Sequence, residues 1–365
     1  MITNVRTDCR HYRGRLPCKP HKSEGVHCED CPHYDALYGH ILIVKLGAMG
    51  DVIRTTPLLH RLKKEYPRYA IHWLTDFPDA VPRAPWVDRV YKYDARSIVI
   101  LEQFSFDRVY CLDKDVEAVA ITERVRAKHK FGYRLKDNAV VPVLATVVGK
   151  DAAKAARHKW ETGLFDDTSK ANTQSYQQEI FAICGYEFTN EEYIVPVAQT
   201  IPFELPTGKR IGLNTGCGGR WPSRLWPEEY WVKLIEALRA KGYSPVILGG
   251  PEEHEKNLRL QSVTNAPYYG TMPLAQFDAL QGSMDVVVTA VTMAMHLAIG
   301  RKRRLVLFNN IFNKHEFVLY GRGEILEPEP ACKCYYANEC PHGGCMQNLS
   351  VERVLAAIER QVALV

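Results

Sequence analysis

Short apolar runs recur along the chain and alternate with segments of helical periodicity. The first run, Ile41–Val44, is continuous, which is the pattern of a parallel strand buried on both faces. Apolar residues then return at helical spacing from Val52 to Tyr66, and Pro57 predicts a kink or a boundary inside that stretch. Strands alternating with helices predict an α/β protein with doubly wound sheets. The other strands predicted before residue 200 are Ala70–Leu74, Arg108–Leu112 and His129–Tyr133.

A second series of the same kind follows a segment at about 198–209 that is rich in proline, threonine and glycine. Pro227 predicts the start of a helix through Lys241, and Gly242 predicts its end. Ser350 predicts the cap of a last helix. The strands predicted here are Arg210–Asn214, Ser244–Leu248, Asp285–Thr289 and Arg304–Asn309. The predicted segments are a Cys/His-rich extension (1–39), two Rossmann-like domains (40–200 and 208–348) and a final helix (349–365).

Composition narrows the functional classes. The 365 residues are 46% hydrophobic and 24% charged, and 47 Lys and Arg against 42 Asp and Glu give a net charge of +5. This balance is too mild to predict nucleic-acid binding. No apolar run approaches the roughly 18 residues that predict a membrane span, and the polar N-terminus does not resemble a signal peptide. We therefore expect a cytoplasmic protein, with peripheral membrane contact left open.

Glycine-rich turns follow several predicted strands, at the places where parallel α/β proteins bind ligands. The first turn is Gly47-Ala48-Met49-Gly50-Asp51. Asp51 has two interpretations here: a functional carboxylate at the mouth of a cleft, or a simple cap of the next helix. A glycine-rich turn after a strand does not by itself decide between them.

The second turn, residues 214–219 (NTGCGG), is followed by Arg224. Backbone N–H groups of such loops bind phosphate, and a nearby arginine is suited to neutralise a leaving diphosphate. The alternative is a flexible loop with a surface arginine. The combination of glycines and a cation favours the phosphate site.

Two further turns complete the pattern. Glu253 follows Gly249-Gly250, where a carboxylate either accepts hydrogen bonds from ribose hydroxyls or merely begins a helix. Residues 289–296 (TAVTMAMH) pass from a strand into a helix, so Thr292 and the N–H groups of the helix start are suited to hold phosphate. His296 alone is more often a structural histidine than a catalytic one.

In this order the motifs resemble glycosyltransferase family 9, the lipopolysaccharide heptosyltransferases, across residues 40–360. The resemblance implies a GT-B fold, with two Rossmann-like domains facing a central cleft. It also implies an inverting enzyme that uses a nucleotide-activated heptose, usually ADP-heptose, bound mainly by the C-terminal domain. The matching segments are Ile41–Pro67, Asn214–Tyr230, Val246–Glu253 and Met295–Ala298.

The resemblance assigns roles to individual residues. Asp51 matches the catalytic base, Arg224 matches a cation on the donor phosphates, and Glu253 falls near a ribose-binding acid. The chain departs from the family at Val291 and Met293, where the family carries an acid and a glycine, and this bears on the donor. The remaining predicted donor-binding residues are Thr215, Gly216, Cys217, Thr292, Met293 and His296, with Gly47 and Gly50 in the first glycine-rich loop.

Eleven cysteines in a reducing compartment favour metal binding over disulfides. One predicted site is Cys9, Cys18, Cys28 and Cys31, which end in a C-x2-C pair within a segment of little apolar content. Zinc and iron both suit four thiolates, and a related branch of protein heptosyltransferases binds iron through cysteines. Reduced, unliganded thiols are the alternative. A second possible cluster is Cys332, Cys334, Cys340 and Cys345, whereas Cys111 and Cys184 are expected in the core.

Three functions compete. A glycosyltransferase needing no catalytic divalent metal leads, because Asp51 and Arg224 are retained and no Asp-x-Asp signature stands near the loops. A metal-stapled binding or scaffold protein on an inactive transferase fold is the alternative that Val291 and Met293 favour. An iron–sulfur redox protein is the third. The acceptor, whether a glycan, a protein or a small molecule, is left open.

Overall fold

The computed structural model describes residues 4–219, 221–337, 339–340 and 344–365. The chain divides into two compact units. The first comprises Met1–Gly47, Leu58–Trp160 and Ile180–Glu187. The second comprises Ala48–Pro57, Glu161–Glu179 and Phe188–Val365. The chain therefore passes between the units at several points, and the segment predicted as a linker, at about 198–209, lies within the second unit.

The first unit is built on a five-stranded parallel sheet in the order β3-β2-β1-β4-β5. Its central strand is fully buried from Ile41 to Val44, as the continuous apolar run predicts. The predicted strand His129–Tyr133 is instead two strands, because Gly132 adopts φ +93° and a Cβ there would lie 1.8 Å from the Cys111 carbonyl oxygen. The strands are β1 (Gly39–Val44), β2 (Tyr69–Thr75), β3 (Arg89–Lys92), β4 (Ser105–Cys111) and β5 (Arg126–Phe131), with an antiparallel hairpin of β6 (Tyr133–Lys136) and β7 (Ala139–Pro142).

The second unit has its own five-stranded parallel sheet, in the order β12-β11-β10-β8-β9. The strands predicted at Arg210 and Ser244 are found with the predicted bounds, and the third is shifted by one residue. The last strand of the sheet, short and half-buried, is not predicted by the apolar pattern. The strands are β8 (Arg210–Asn214), β9 (Ser244–Leu248), β10 (Val286–Ala290), β11 (Arg304–Phe308) and β12 (Gly323–Leu326).

Local sequence signals set the helix boundaries. Pro57 separates two helices, and the Ser350 side chain accepts a hydrogen bond from the Arg353 N–H at the start of the last one. The helices are α1 (Lys19–Glu24), α2 (Met49–Thr55), α3 (Leu58–Glu65), α4 (Ala95–Gln103), α5 (Val116–Arg124), α6 (Ala145–Val148), α7 (Lys150–Glu161), α8 (Asp166–Ala171), α9 (Tyr176–Ile183), α10 (Glu228–Ala240), α11 (His254–Thr264), α12 (Leu274–Gly282), α13 (Met293–Gly300) and α14 (Val351–Val362). Within the described residues, no helix has both the length and the apolar character needed to cross a bilayer.

Candidate active site

A cavity of about 900 Å³ lies in the second unit, where several loops meet. Its walls include the loops that follow β8, β9 and β10, together with the start of α2. The carboxyl ends of parallel strands lie at one edge of a sheet, so the glycine-rich turns separated in sequence come together there. Its size suits a ligand as large as a nucleotide sugar.

Arg224 lines this cavity with only 6% of its surface exposed. Its guanidinium donates to the backbone carbonyls of Cys217, at 2.6 Å, and Val291, and lies 5.2 Å from the Phe312 ring centroid. Burial lowers the pKa of this arginine, and no carboxylate of the described residues forms an ion pair with it. Its Nε is buried without a hydrogen-bond partner. A buried cation that keeps donor capacity is suited to bind an anion.

The glycine-rich loop after β8 is shaped by Glu253. A Cβ on Gly216 would lie 2.0 Å from the Glu253 carboxyl group, so only glycine permits this side chain to pack against the loop. Glu253 accepts a hydrogen bond from the Gly250 N–H at 3.0 Å and lines the cavity with Gly216 and Cys217. The Thr215 hydroxyl is buried and donates to Asn257 at 2.6 Å. The Thr215 side chain is therefore engaged beneath the loop.

Asp51 stands on the first turn of α2 and lines the same cavity. Its Oδ1 lies 2.8 Å from Arg54 Nε, and Arg54 Nη1 lies 3.4 Å from a Glu316 carboxylate oxygen. Tyr336 donates to the other oxygen of Glu316 at 2.7 Å. Although burial opposes its charge, Asp51 and Glu316 together raise the pKa of Arg54. A permanent cation thus holds the predicted base beside the cavity.

His296 is buried against α2. A Cβ on Gly50 would lie 2.7 Å from the imidazole, so this glycine permits the close approach of the two helices. Burial, together with Arg54, lowers the pKa of His296 to about 3, although Asp51 opposes the shift. Its Nδ1 lies 3.3 Å from the Tyr193 hydroxyl, so His296 is a neutral, hydrogen-bonded group on the cavity wall.

The turn after β10 has a structural role as well as a place on the cavity wall. Thr292 caps α13, because its hydroxyl accepts a hydrogen bond from the Ala294 N–H at 3.2 Å. Val291, Thr292 and Met293 all line the cavity. Of the two glycines predicted in the first glycine-rich loop, Gly50 lines the cavity and Gly47 belongs to the first unit.

Comparison with known proteins agrees with this arrangement. Residues 99–315, more than half of the chain, match the sequence profile of glycosyltransferase family 9 (heptosyltransferase). The chain belongs to this family. It is a glycosyltransferase. A comparison with curated protein sequences found no significant match.

Solved structures share the GT-B fold of this family 9 enzyme. A family 9 glycosyl transferase of Veillonella parvula is 17% identical over 91% of this chain and 99% of its own, with a TM-score of 0.64. The Escherichia coli heptosyltransferase WaaC, solved with ADP-2-deoxy-2-fluoro heptose, is 18% identical over 88% and 99%, with a TM-score of 0.61. The E. coli ADP-heptose heptosyltransferase II is 16% identical over 89% and 99%, with a TM-score of 0.63.

Sequence reasoning missed several residues of the transferase's cavity. Arg54 and Glu316 carry ordinary surface-type side chains, and no motif links residues 262 positions apart. Three aromatic side chains also line the cavity, with the Phe312 ring centroid 6.0 Å from that of Trp221 and 5.0 Å from that of Tyr336. The one signal in the sequence that indicates these residues is the family resemblance of the loops that flank them.

All eleven cysteines of the transferase are free thiols. Cys111 and Cys184 are buried in the core, as predicted. In the second cluster, Cys334 Sγ lies 3.5 Å from Cys340 Sγ, and the Cys334 N–H donates to Cys332 Sγ at 3.4 Å. Over the described part of the chain, no group of three or more His, Cys, Asp or Glu side chains has a geometry that could hold a metal ion. Metal binding at either cluster therefore stays a prediction.

Proposed function

We propose that this enzyme transfers a heptose or a related sugar from a nucleotide-sugar donor, ADP-heptose first among them, to an acceptor hydroxyl with inversion. Arg224 carries the proposal. It is buried, lines the cavity beside the glycine-rich loop, and pairs with no described carboxylate. A WaaC structure contains an ADP-heptose analogue, which makes this donor the first to test.

The donor diphosphate is proposed to lie between Arg224 and the loops after β8 and β10. Fixed positive charge where negative charge develops lowers the barrier to departure of the nucleotide. Glu253 is proposed to accept hydrogen bonds from the ribose. Val291 and Met293 place apolar side chains beside the phosphates, where the family resemblance predicts an acid and a glycine.

Asp51 is proposed as the general base. Its carboxylate takes the acceptor hydroxyl's proton as that oxygen forms a bond to the anomeric carbon. The bond from the anomeric carbon to the phosphate oxygen breaks on the opposite face, and its electron pair leaves with the nucleoside diphosphate. One such displacement inverts the anomeric configuration. Arg54 is proposed to orient Asp51, since their charged groups lie 2.8 Å apart.

The proposed chemistry uses no catalytic divalent metal, because Arg224 supplies the charge on the leaving group. Turnover is therefore expected to survive EDTA during a short assay. An absolute requirement for added magnesium or manganese would contradict this assignment and indicate a different means of stabilising the diphosphate.

Binding experiments test the donor. Isothermal titration of the purified full chain with ADP, UDP and GDP is expected to give the tightest binding for ADP, and ADP-heptose is expected to bind and to release ADP slowly by hydrolysis. Tighter binding of UDP or GDP would replace the proposed donor nucleotide. No binding of any of the three would remove the proposal. The acceptor, whether a glycan, a protein or a small molecule, is then sought by measuring which candidate compounds increase the rate of ADP release.

The second cysteine cluster supports a proposed structural metal, zinc or iron. Cys334 and Cys345 are buried, and the Asn310 amide donates to Cys345 Sγ at 3.3 Å. The Cys334 and Cys340 sulfurs lie 3.5 Å apart, close to the spacing of two thiolates on one tetrahedral ion. Metal content is expected to fall in Cys334→Ser, and an unchanged content would contradict the assignment.

A further inference from the structure

The N-terminal segment, residues 4–38, surrounds a cavity of about 300 Å³ that lies outside the proposed transfer chemistry. All four cysteines of this segment line it: Cys9, Cys18, Cys28 and Cys31. We propose that this cysteine cavity binds one divalent ion of the zinc class through four thiolates, and that the ion stabilises the fold of the segment. Its lining shares no residue with the second cysteine cluster or with the lining of the catalytic cavity.

The segment has no apolar core that could stabilise it. Pro20 is the only fully buried residue between positions 4 and 38. Val5 and Leu16, two of its few aliphatic residues, are 46% and 60% exposed. Chains of fewer than about 40 residues usually need disulfides, a metal or a partner surface to fold. Because every cysteine here is a free thiol, a metal is the remaining internal means.

Tight turns fix the backbone at three of the four cysteines. The Cys9 carbonyl accepts from the Tyr12 N–H at 2.9 Å, the Cys18 carbonyl from Lys22 at 3.0 Å, and the Cys31 carbonyl from Tyr34 at 3.2 Å. Cys28 is joined to Cys31 by only two residues, the usual spacing of a metal knuckle. Ligands separated by up to 22 positions are thus presented to one cavity on short, ordered turns.

The charges around the cysteine cavity favour an anionic centre. A divalent ion with four thiolates carries an overall double negative charge. Arg6 and Arg13 line the cavity, and so do His11, His21 and His27, whereas no carboxylate of the described residues does. Positive side chains that surround the cavity without acids would offset the charge of the metal–thiolate group.

The rest of the first unit contacts this segment near its two ends, at Arg10 and at Tyr38, whose N–H donates to the Arg68 carbonyl at 2.8 Å. Arg10 Nε lies 2.8 Å from Asp35, and Arg10 Nη1 lies 2.5 Å from Asp88 of the first unit. These contacts fasten the two ends of the segment and leave residues 12–33, between them, to be ordered by other means. An ion in the cysteine cavity would order that remaining stretch.

Binding requires the thiols to move inward. No three metal-binding side chains of the described segment stand in a geometry that could hold an ion. All four cysteines are half-buried at the cavity wall. Binding an ion would require rotation about χ1 and shifts of the turns that bring the sulfurs together. The free energy of metal binding is then coupled to the closing of the segment.

Site-resolved alkylation of the full chain tests the proposal. Protein purified without a metal-affinity tag is alkylated with and without prior chelation, and each cysteine is quantified by mass spectrometry. We expect the four cysteines to be protected before chelation and labelled after it. Equal labelling under both conditions overturns the proposal. Protection that only a reductant removes identifies disulfides and overturns it too.

Elemental analysis of matched variants supplies the second measurement. Cys28→Ser is expected to lose about one metal ion per chain relative to wild type, whereas Cys184→Ser, which removes a thiol outside both clusters, keeps the wild-type content. Wild-type metal content in Cys28→Ser overturns the proposal, and so does loss confined to Cys334→Ser. If Cys28→Ser fails to fold, the alkylation pattern of the wild-type chain decides alone.

Discussion

Arg224→Gln is the most informative single change, because it separates ligand binding from folding. The wild-type guanidinium is 94% buried, donates to two backbone carbonyls and pairs with no described carboxylate. If the Arg224 guanidinium also donates to the donor diphosphate, the variant loses charge-assisted hydrogen bonds worth about 1.5–3 kcal/mol. ADP affinity is then expected to fall roughly 10- to 150-fold.

The expected effect on stability is small. Losing two hydrogen bonds from a charged donor to carbonyls costs about 1.5–3 kcal/mol each. Removing a buried cation that lacks a carboxylate partner returns a desolvation cost of several kcal/mol. These opposing contributions leave the melting temperature close to that of the wild type.

Calorimetric titration of ADP and thermal melting of the same samples measure both quantities. Arg239→Gln is a matched control, because Arg239 also donates to two backbone carbonyls, of Thr264 and of Asn265 at 2.6 Å, but does not line the cavity. Arg224→Lys should recover part of the affinity through its charge. ADP affinity within twofold of wild type in a folded Arg224→Gln protein would refute the role of this arginine.

Further predictions concern the base, the loop and pH. Asp51→Asn should reduce turnover on the order of a hundred- to ten-thousand-fold with little change in ADP affinity; near-normal turnover would remove Asp51 from the role. Gly216→Ala should displace Glu253 and weaken ADP binding about tenfold. Gly219→Ala is the control, because its added Cβ meets nothing closer than 3.5 Å. Equal effects of the two changes on ADP binding would contradict the view that Gly216 makes room for Glu253. The pKa of His296 is lowered from 6.5 to about 3 in the folded protein. Between pH 6.5 and 3 the imidazole is therefore protonated in the unfolded chain but neutral in the folded protein, so stability falls as the pH falls through this range. Denaturant titrations at several pH values measure how the free energy of unfolding changes with pH. In His296→Gln this pH dependence should be smaller by about 1.4 kcal/mol per pH unit near pH 5. An unchanged pH dependence would show that this histidine is not the group responsible.

Short polar strands show where prediction from the sequence ends. The strand Arg89–Lys92 has no buried residue, so its sequence carries no apolar signal, and it forms because hydrogen bonds to Tyr69–Thr75 complete the sheet edge. Thr215 gives the same lesson in the candidate site. Its hydroxyl bonds to Asn257, which stands 42 residues further along the chain, and the motif gives no indication of this partner.

The sequence predicts the α/β series directly, because strands buried on both faces need continuous apolar runs such as Ile41–Val44. It also determined the helix boundaries at Pro57 and Ser350 and the glycine-rich loops, since these depend on local backbone chemistry. Tertiary structure alone decided that Arg54 joins Asp51 to Glu316. Periodicity records whether each residue is buried, whereas the pairing of charges 262 positions apart depends on how complete elements pack.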